Sequence, residues 1–593
     1  MTRNRRQSYL LMASQLIFLS LLFTLHYLVG EIRSGGDYSP FSTAPSTSPL
    51  IYDETQQYLP GARHFMRTGN LHPEVDVREM GELSNGFPVM HALLLGTAGK
   101  VLGNLELAWM LAHAVFPGIL WLLFFFLFGY FTSNLWLRSA WSWATILFAF
   151  SPRSSLLLGN LSLIQPLEVS RLPHPALSFC FLLLALFGVT AALEEGEKKK
   201  IVLGGILSGI LFYTYYYYFV GWFGGLGLCF LGALALGETA IAKRLVGVIL
   251  IGLLTGLPYF FRLYTAAVTG SQRALLYRVG GFNREVTVKT LLIGFACLLS
   301  YGFFHWWQRK KEKNQNYSRA RLSLLLSFGL LAGGGVGLNL HLLTGYNPQH
   351  GHFINRVIEP LAFFLGVALL ALISFRSGGF RVWFRRASFG FAGVLVLIAG
   401  YRQYECGLAG VSGQRLSTSR AKLSGWIREH IPVDKVIGTT DPELVMLLPG
   451  IAGNWTFMPM ATRSMADGVE DMKRYFILAQ LESVDLEQAK AQLLKPAPDG
   501  DHLWLMPEYV FFGAQGPDQG VVQLAESTWA KENAADLLQV RKLDYLALSP
   551  SASLIPAKRL FSNLEIVYSN SEWRLIKLGP LLSPDRQIGS TRN

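Results

Sequence analysis

Apolar runs of about 20 residues, separated by short gaps rich in Lys and Arg, recur from Tyr9 to beyond residue 400 of this 593-residue chain. A run of that length spans a bilayer only as a helix, because hydrocarbon offers the backbone no hydrogen-bond partner. The pattern therefore predicts a polytopic α-helical membrane protein. Composition agrees, since 51% of residues are hydrophobic and only 15% charged, whereas soluble domains use about 25% charged residues.

The formal charge of +13 raises nucleic acid as a partner, but the basic residues form neither a stripe nor an arm. They fall in the gaps between apolar runs, which is the positive-inside pattern; the partner read from the charge is the lipid bilayer, and no nucleic acid is expected. The four cysteines include no C-x-x-C pair. Cys180, Cys229 and Cys297 sit in apolar runs, where a thiol behaves as a small hydrophobe.

The first run, Tyr9 to Gly30, follows Arg3, Arg5 and Arg6. It is long enough to span, and Gly30-Glu31-Ile32-Arg33 is a poor cleavage site, so an uncleaved first helix is expected. About eleven spans follow from the whole pattern, the later ones near 105–131, 137–158, 175–193, 201–218, 219–237, 245–264, 288–307, 321–343, 357–375 and 388–405. Lys198 to Lys200, Lys243-Arg244, Arg309 to Lys311 and Arg376 to Arg386 then share a side with the N-terminus, which places both in the cytoplasm. Residues 1–406 form the membrane domain with a large outer first loop, 31–104, and 407–593 a soluble extracytoplasmic domain. A bacterial inner membrane with a periplasmic C-terminal domain is the expected setting.

Within the first loop, Asp53 is placed to cap a short helix ending near Gly69. Phe87 to Leu102 is apolar but short and carries Lys100, so it reads as a helix lying in the outer interface. A lone Asp53 is most simply an N-cap. Its surroundings say more. Asp53-Glu54-Thr55 with Tyr58, Ala62, Arg63 and Gly69 resembles the first loop of the lipid A aminoarabinose transferases and protein O-mannosyltransferases, members of the glycosyltransferase C superfamily. It resembles the oligosaccharyltransferase catalytic subunit more loosely. One extra residue separates the acidic pair from the tyrosine here, and Asp37 competes for the same role.

The resemblance implies a GT-C-like fold, a first-loop Asp at the catalytic centre and a polyprenyl-phosphate-linked sugar as donor. It also implies a second acidic residue from a later outer loop, for which Glu168 is the candidate. Glu168 could equally pair with Arg171 one helical turn on, a solvated contact worth little. If a divalent cation such as Mg or Mn takes part, Asp53 and Glu168 are its candidate ligands. Such a transfer needs a base for the acceptor hydroxyl and cations for the departing phosphate.

For the phosphate, Arg356 at the outer start of a span is the leading residue, since guanidinium binds phosphate bidentately and ionisable groups at membrane depth are costly. Arg171, Arg273 and Arg278 are further candidates, although outer arginines also contact lipid headgroups. Tyr58, His174, His350, His352 and Tyr217 are candidate substrate-binding residues. His350-x-His352 alone is weak evidence for a metal. The run Tyr213 to Trp222 reads first as an interfacial aromatic belt and second as a sugar or prenyl platform.

After residue 407, helical and strand-like segments alternate, which predicts a small α/β domain: a helix from Leu416 to Ile431, a strand around Lys435 to Thr440, a helix capped by Asp441 with Pro442, a strand Tyr545 to Leu548, and a terminal hairpin of Leu564–Tyr568 with Trp573–Leu578. Strand–Thr-Thr-Asp-Pro–helix lacks the Lys and glycines of a phosphate loop. Acceptor handling or support is expected from this domain. Two other readings compete with a glycosyltransferase. A transporter or flippase of a lipid-linked saccharide predicts ionisable residues or broken helices at mid-membrane, and the spans hold few central acids. A non-catalytic scaffold predicts that Asp53 and Glu168 are dispensable.

Overall fold

The computed structural model describes residues 3–34, 57–71, 76–80, 89–150, 169, 171–268, 281–282, 318–347, 351–374, 378–413, 418–461, 463–482, 484, 486–493, 511, 519–529 and 534–582. The chain divides into two compact units: Met1–Asp37, Trp109–Phe261 and Gly280–Val411 form the first, and Tyr38–Ala108, Arg262–Val279 and Ser412–Asn593 the second.

The first unit is helical. Among the described residues of the whole chain, 7 helices are long and apolar enough to cross a membrane, or 8 if a bent pair counts as one span. Shorter helices, Leu135–Phe148 and Lys198–Ile210, occupy two further expected positions, and 288–307 lies outside the described residues. The span expected near 245–264 is instead two helices, Thr239–Thr255 and Leu257–Val268, bent by 53°. Gly256 and Pro258 explain the break, because proline removes a helical hydrogen bond and clashes with the preceding turn.

Glycine sets a close helix contact among the described residues of this unit. Helix Tyr216–Ala235 packs along Ser318–Gly337 through Gly221 and Gly225 on one side and Gly329 and Gly333 on the other. A Cβ on Gly333 would lie 2.1 Å from the Gly221 carbonyl oxygen, and one on Gly225 2.7 Å from Gly329. This is the small-xxx-small arrangement by which membrane helices bring their backbones together. Arg319 and Glu194 pair at the end of this bundle where the basic gaps lie.

In the second unit, five strands are ordered β4-β3-β5-β7-β6, where β3 is Val436–Gly438, β4 Trp455–Thr456, β5 Tyr545–Leu548, β6 Leu564–Ser569 and β7 Arg574–Leu578 (a separate two-residue pair in the first unit, β1 Gly281–Phe282 with β2 Tyr346–Asn347, is antiparallel). β3 runs parallel to both β4 and β5, whereas β7 pairs antiparallel with β5 and β6. Period-2 alternation sorts the side chains by face. Val436, Leu546 and Ile576 join Phe476 and Leu478 in one core, while Ile437, Tyr545, Ala547 and Leu575 join Leu423 and Ile427 in another. The expected C-terminal elements are present. Asp441 accepts from Leu444 N at 2.8 Å and Pro442 opens the helix Pro442–Ile451, so the cap satisfies an otherwise orphaned N–H.

The described first-loop segments belong to this same unit. Helix Leu59–Thr68 ends at Gly69 with φ 77°, the left-handed stop that favours glycine. Tyr58, which precedes it, makes no side-chain cap, and proline stands in its first turn; Asp53 lies outside the described residues. Arg63, 3% exposed, donates to Gly450 O at 3.0 Å and pairs with Glu106 at 2.6 Å. Fully buried Asp76 receives Arg463 through Nε at 3.0 Å and Nη2 at 2.9 Å, plus Met460 N at 2.9 Å. The apolar stretch read as an interfacial helix forms Met90–Leu102.

Candidate functional site

Three chain segments of the first unit converge at the end of the bundle opposite the Arg319–Glu194 pair. They are the residues before helix Ala176–Glu195, the start of helix Tyr216–Ala235, and the start of the span Ile354–Ala371. Each brings polar side chains where a helix begins, so the apolar body of the helix stays in the bundle and the polar end groups collect at one level.

Tyr215 is the hub. The chain leaves helical geometry there, with φ −159° and ψ 127° as the N-cap of its helix. The His174 ring stacks on Tyr215 at 3.8 Å between centroids, and His174 Nδ1 is 2.9 Å from Ser178 Oγ. On the other side, Tyr215 Oη is 2.7 Å from His352 Nδ1. Tyr217 flanks His352 at 5.0 Å and lies 5.0 Å from Tyr215, while Phe353 sits edge-on to Tyr217 at 4.8 Å.

Electrostatics complete the cluster. Burial lowers the Arg171 pKa to about 9, and the like charge of Arg356 adds to the effect. Burial pulls the His352 pKa down to about 3, with Arg356 and Arg171 contributing further. His352 is therefore neutral at pH 7. A neutral imidazole carries one N–H donor and one acceptor nitrogen, and here it stands beside two guanidinium groups. Arg356 is 6% exposed. Guanidinium groups at a buried place can bind an anion strongly, because charge-assisted hydrogen bonds strengthen where water is excluded.

Of the residues singled out from the sequence, Arg171, His174, Tyr217, His352 and Arg356 thus meet in one cluster. Asp37, Asp53, Glu54, Glu168, Arg273, Arg278 and His350 lie outside the described residues. Tyr58 belongs to the second unit, edge-on to His91 at 5.2 Å, whose pKa burial lowers to about 4. Among the described residues, no group of three or more His, Cys, Asp or Glu is placed to hold a metal ion.

The aromatic belt is a correction. Tyr215, Tyr217, Tyr218 and Trp222 are 6%, 7%, 0% and 1% exposed, so they line the protein interior rather than the lipid. A Trp222 Nε1 bond to Ser208 Oγ at 2.9 Å shows why: the polar tip finds its partner inside the bundle. Tyr215 itself was hidden among five tyrosines in six residues. Its one distinguishing signal is that it stands where two apolar runs must be separated.

No family model matches the chain, and no curated protein does. The chain is similar to the solved structure of ArnT from Cupriavidus metallidurans bound to undecaprenyl phosphate, with 13% identity and a TM-score of 0.42, over 95% of this chain and 99% of that one. For the apo state of the same protein the values are 12% and 0.41, with the same coverage. At these values the likeness assigns no function to this chain.

Proposed function

We propose that this integral membrane protein is a glycosyltransferase that moves a sugar from a polyprenyl-phosphate-linked donor to an extracytoplasmic acceptor. The observation that carries the reading is the meeting of Arg171, Arg356 and neutral His352 around Tyr215 at one end of the membrane helices. An anion with an apolar tail suits a cationic pocket at the end of a helical bundle: the tail stays in lipid while the headgroup reaches the arginines. The first-loop motif around Asp53 supplies the remaining chemistry in this reading.

In the proposed reaction the acceptor hydroxyl attacks the anomeric carbon, a new carbon–oxygen bond forms, and the bond to the carrier phosphate breaks with inversion. Asp53, assisted by Glu54, takes the hydroxyl proton. Arg171 and Arg356 hold the phosphate as charge develops on its bridging oxygen, with Arg273 and Arg278 drawing the anionic carrier in. His174, Tyr217 and His352, with His350, shape the headgroup pocket, Tyr58 is a further candidate contact for substrate, and Glu168 positions the acceptor. A divalent cation, where bound, would take Asp53 and Glu168 as oxygen ligands and neutralise phosphate charge. The N-terminus is cytoplasmic in this scheme and the C-terminal domain extracytoplasmic.

The test compares cells carrying Asp53→Asn or Arg356→Gln with wild type, tracking polyprenyl-phosphate sugars and a surface glycan. The expected result is donor accumulation and glycan loss at normal protein levels. Stable variants with full activity would overturn the reading.

A further inference from the structure

Helix Met90–Leu102 of the second unit leaves an apolar face exposed. The helix has 13 residues, a rise of about 20 Å, too short to cross hydrocarbon about 30 Å thick. One side is spent on packing. Ala92, Leu95, Gly96 and Gly99 are buried, and a Cβ on Gly96 would lie 2.7 Å from the Ala62 carbonyl oxygen, so this side is closed against helix Leu59–Thr68. A period of 3.6 residues puts Leu93, Leu94, Thr97 and Val101 on the opposite side, and all four are exposed, Val101 at 79%. Thr97 adds little polarity there, because its hydroxyl donates to Leu93 O at 2.6 Å. Lys100, also exposed, stands at the edge of this face. A helix on a water-bathed surface shows the reverse, with its polar side outward.

The place of the helix in the chain selects what covers that face. Gly103 stops it with φ 68°, and Asn104 accepts from Leu107 N at 3.0 Å, capping Leu105–Phe128, which is long and apolar enough to cross a membrane. Only Gly103 and Asn104 separate the two helices, so the short one ends within roughly 10 Å of the start of the span. Leu105 also packs directly on it, since a Cβ on Gly99 would lie 3.0 Å from Leu105 Cδ1. On the span itself Leu107, Leu111 and Val115 are exposed, and such side chains on a membrane helix face lipid. Exposed apolar side chains thus stand on both sides of the Gly103 turn. A protein partner would have to displace lipid that is already present at this depth.

We propose that the face formed by Leu93, Leu94 and Val101 is a lipid-binding surface. By it the second unit sits in the acyl–headgroup boundary of the leaflet where the Leu105–Phe128 span begins, with the Lys100 ammonium reaching the lipid phosphates. Helix Leu59–Thr68, closed on the buried side at Gly96, is carried with it. Nothing in this proposal rests on the transferase reading.

The experiment attaches a bimane fluorophore to the full chain through Leu94→Cys, Val101→Cys, Val115→Cys or Asn70→Cys, each in phosphatidylcholine–phosphatidylglycerol nanodiscs. The quenchers are aqueous iodide and lipids bearing a nitroxide either near the headgroup or near the acyl terminus. Wild type taken through the same labelling gives the background from native thiols, of which Cys180, Cys229 and Cys406 are buried. Labels at 94 and 101 should lose fluorescence chiefly to the shallow nitroxide and little to iodide. The label at 115, about 15 Å along the span, should lose it chiefly to the deep nitroxide, and the label at exposed Asn70 to iodide. Leu94 and Val101 are both exposed, so either label carries the test if the other disturbs the fold. Iodide access at 94 and 101 equal to that at 70 would overturn the surface. So would shielding from all three quenchers, which would mean that protein, a second copy included, covers the face. Preferential loss to the deep nitroxide would overturn the interfacial depth. Because position is read without turnover, a protein inactive in transfer that gives the expected pattern refutes only the transferase reading.

Discussion

In the sheet-containing unit, Arg463, Arg474 and Arg63 are buried to 5%, 1% and 3% exposure, and each meets a carboxylate: Asp76, Glu470 with Glu79, and Glu106. In the helical unit, burial and then the like charges of Arg356 and Arg171 pull the His352 pKa down, and burial and then Arg356 do the same to Arg171. The first arrangement is closed, with positive charge neutralised by the chain itself. The second gathers two arginines and a histidine at one buried place, where each disfavours the charged form of the others.

The largest effect should come from opening a closed pair. Replacing Arg463 by Met leaves Asp76 buried without its cation, and the expected cost is about 3–5 kcal/mol. Thermal unfolding of the purified protein measures it, and an unchanged melting temperature would erase the distinction between the units.

Arg356→Gln should weaken polyprenyl-phosphate binding by roughly 10- to 100-fold, the range for one charge-assisted hydrogen bond. Equilibrium binding of the radiolabelled carrier reads this directly. The same substitution removes one of the charges depressing His352, so the His352 pKa should rise. The folded value of about 3 lies below the ordinary value of about 6.5, so the unfolded chain takes up its proton first as pH falls. The resulting stability is present above about pH 6.5 and lost toward pH 3. In Arg356→Gln that loss should be smaller, which acid unfolding midpoints of the two proteins would show.

Tyr215→Phe deletes one hydrogen bond to His352, worth about 0.5–1.5 kcal/mol, and should weaken carrier binding by up to about tenfold while leaving the melting temperature near wild type. The smallest change is Asp441→Ala, which removes a helix cap at a cost of about 1 kcal/mol and should leave carrier binding untouched. A binding defect there would mean that the units do not divide their labour as their arginines suggest.

Much of the fold was legible because it is set locally. The Asp441-Pro442 start, the Gly69 stop, β5 at Tyr545 to Leu548 and the terminal hairpin are each specified by neighbours in sequence. The bend at Gly256 escaped, because apolarity measures length in the membrane but not direction. The candidate cluster was half legible. Arg171, His174, His352 and Arg356 stand out as polar groups beside apolar runs, whereas Tyr215 gains its role from a stacking partner and a hydrogen bond on other segments. Asp76 gave no sign at all: it reads as one loop charge among several, and its partner Arg463 is 387 positions away.

The glycine contact between helices Tyr216–Ala235 and Ser318–Gly337 acts as a ruler. One helix begins beside Tyr215 and the other leads towards His352, and Gly337 would meet the Phe353 ring 2.4 Å from an added Cβ. The spacing of the two walls of the cluster is therefore fixed by peptide backbone, the least compressible gauge a protein has. Enlarging Gly225 or Gly333 by a single methyl group would widen the mouth without altering any residue that lines it. Those two positions would therefore form an adjusting screw for the cluster, set well away from the side chains it moves.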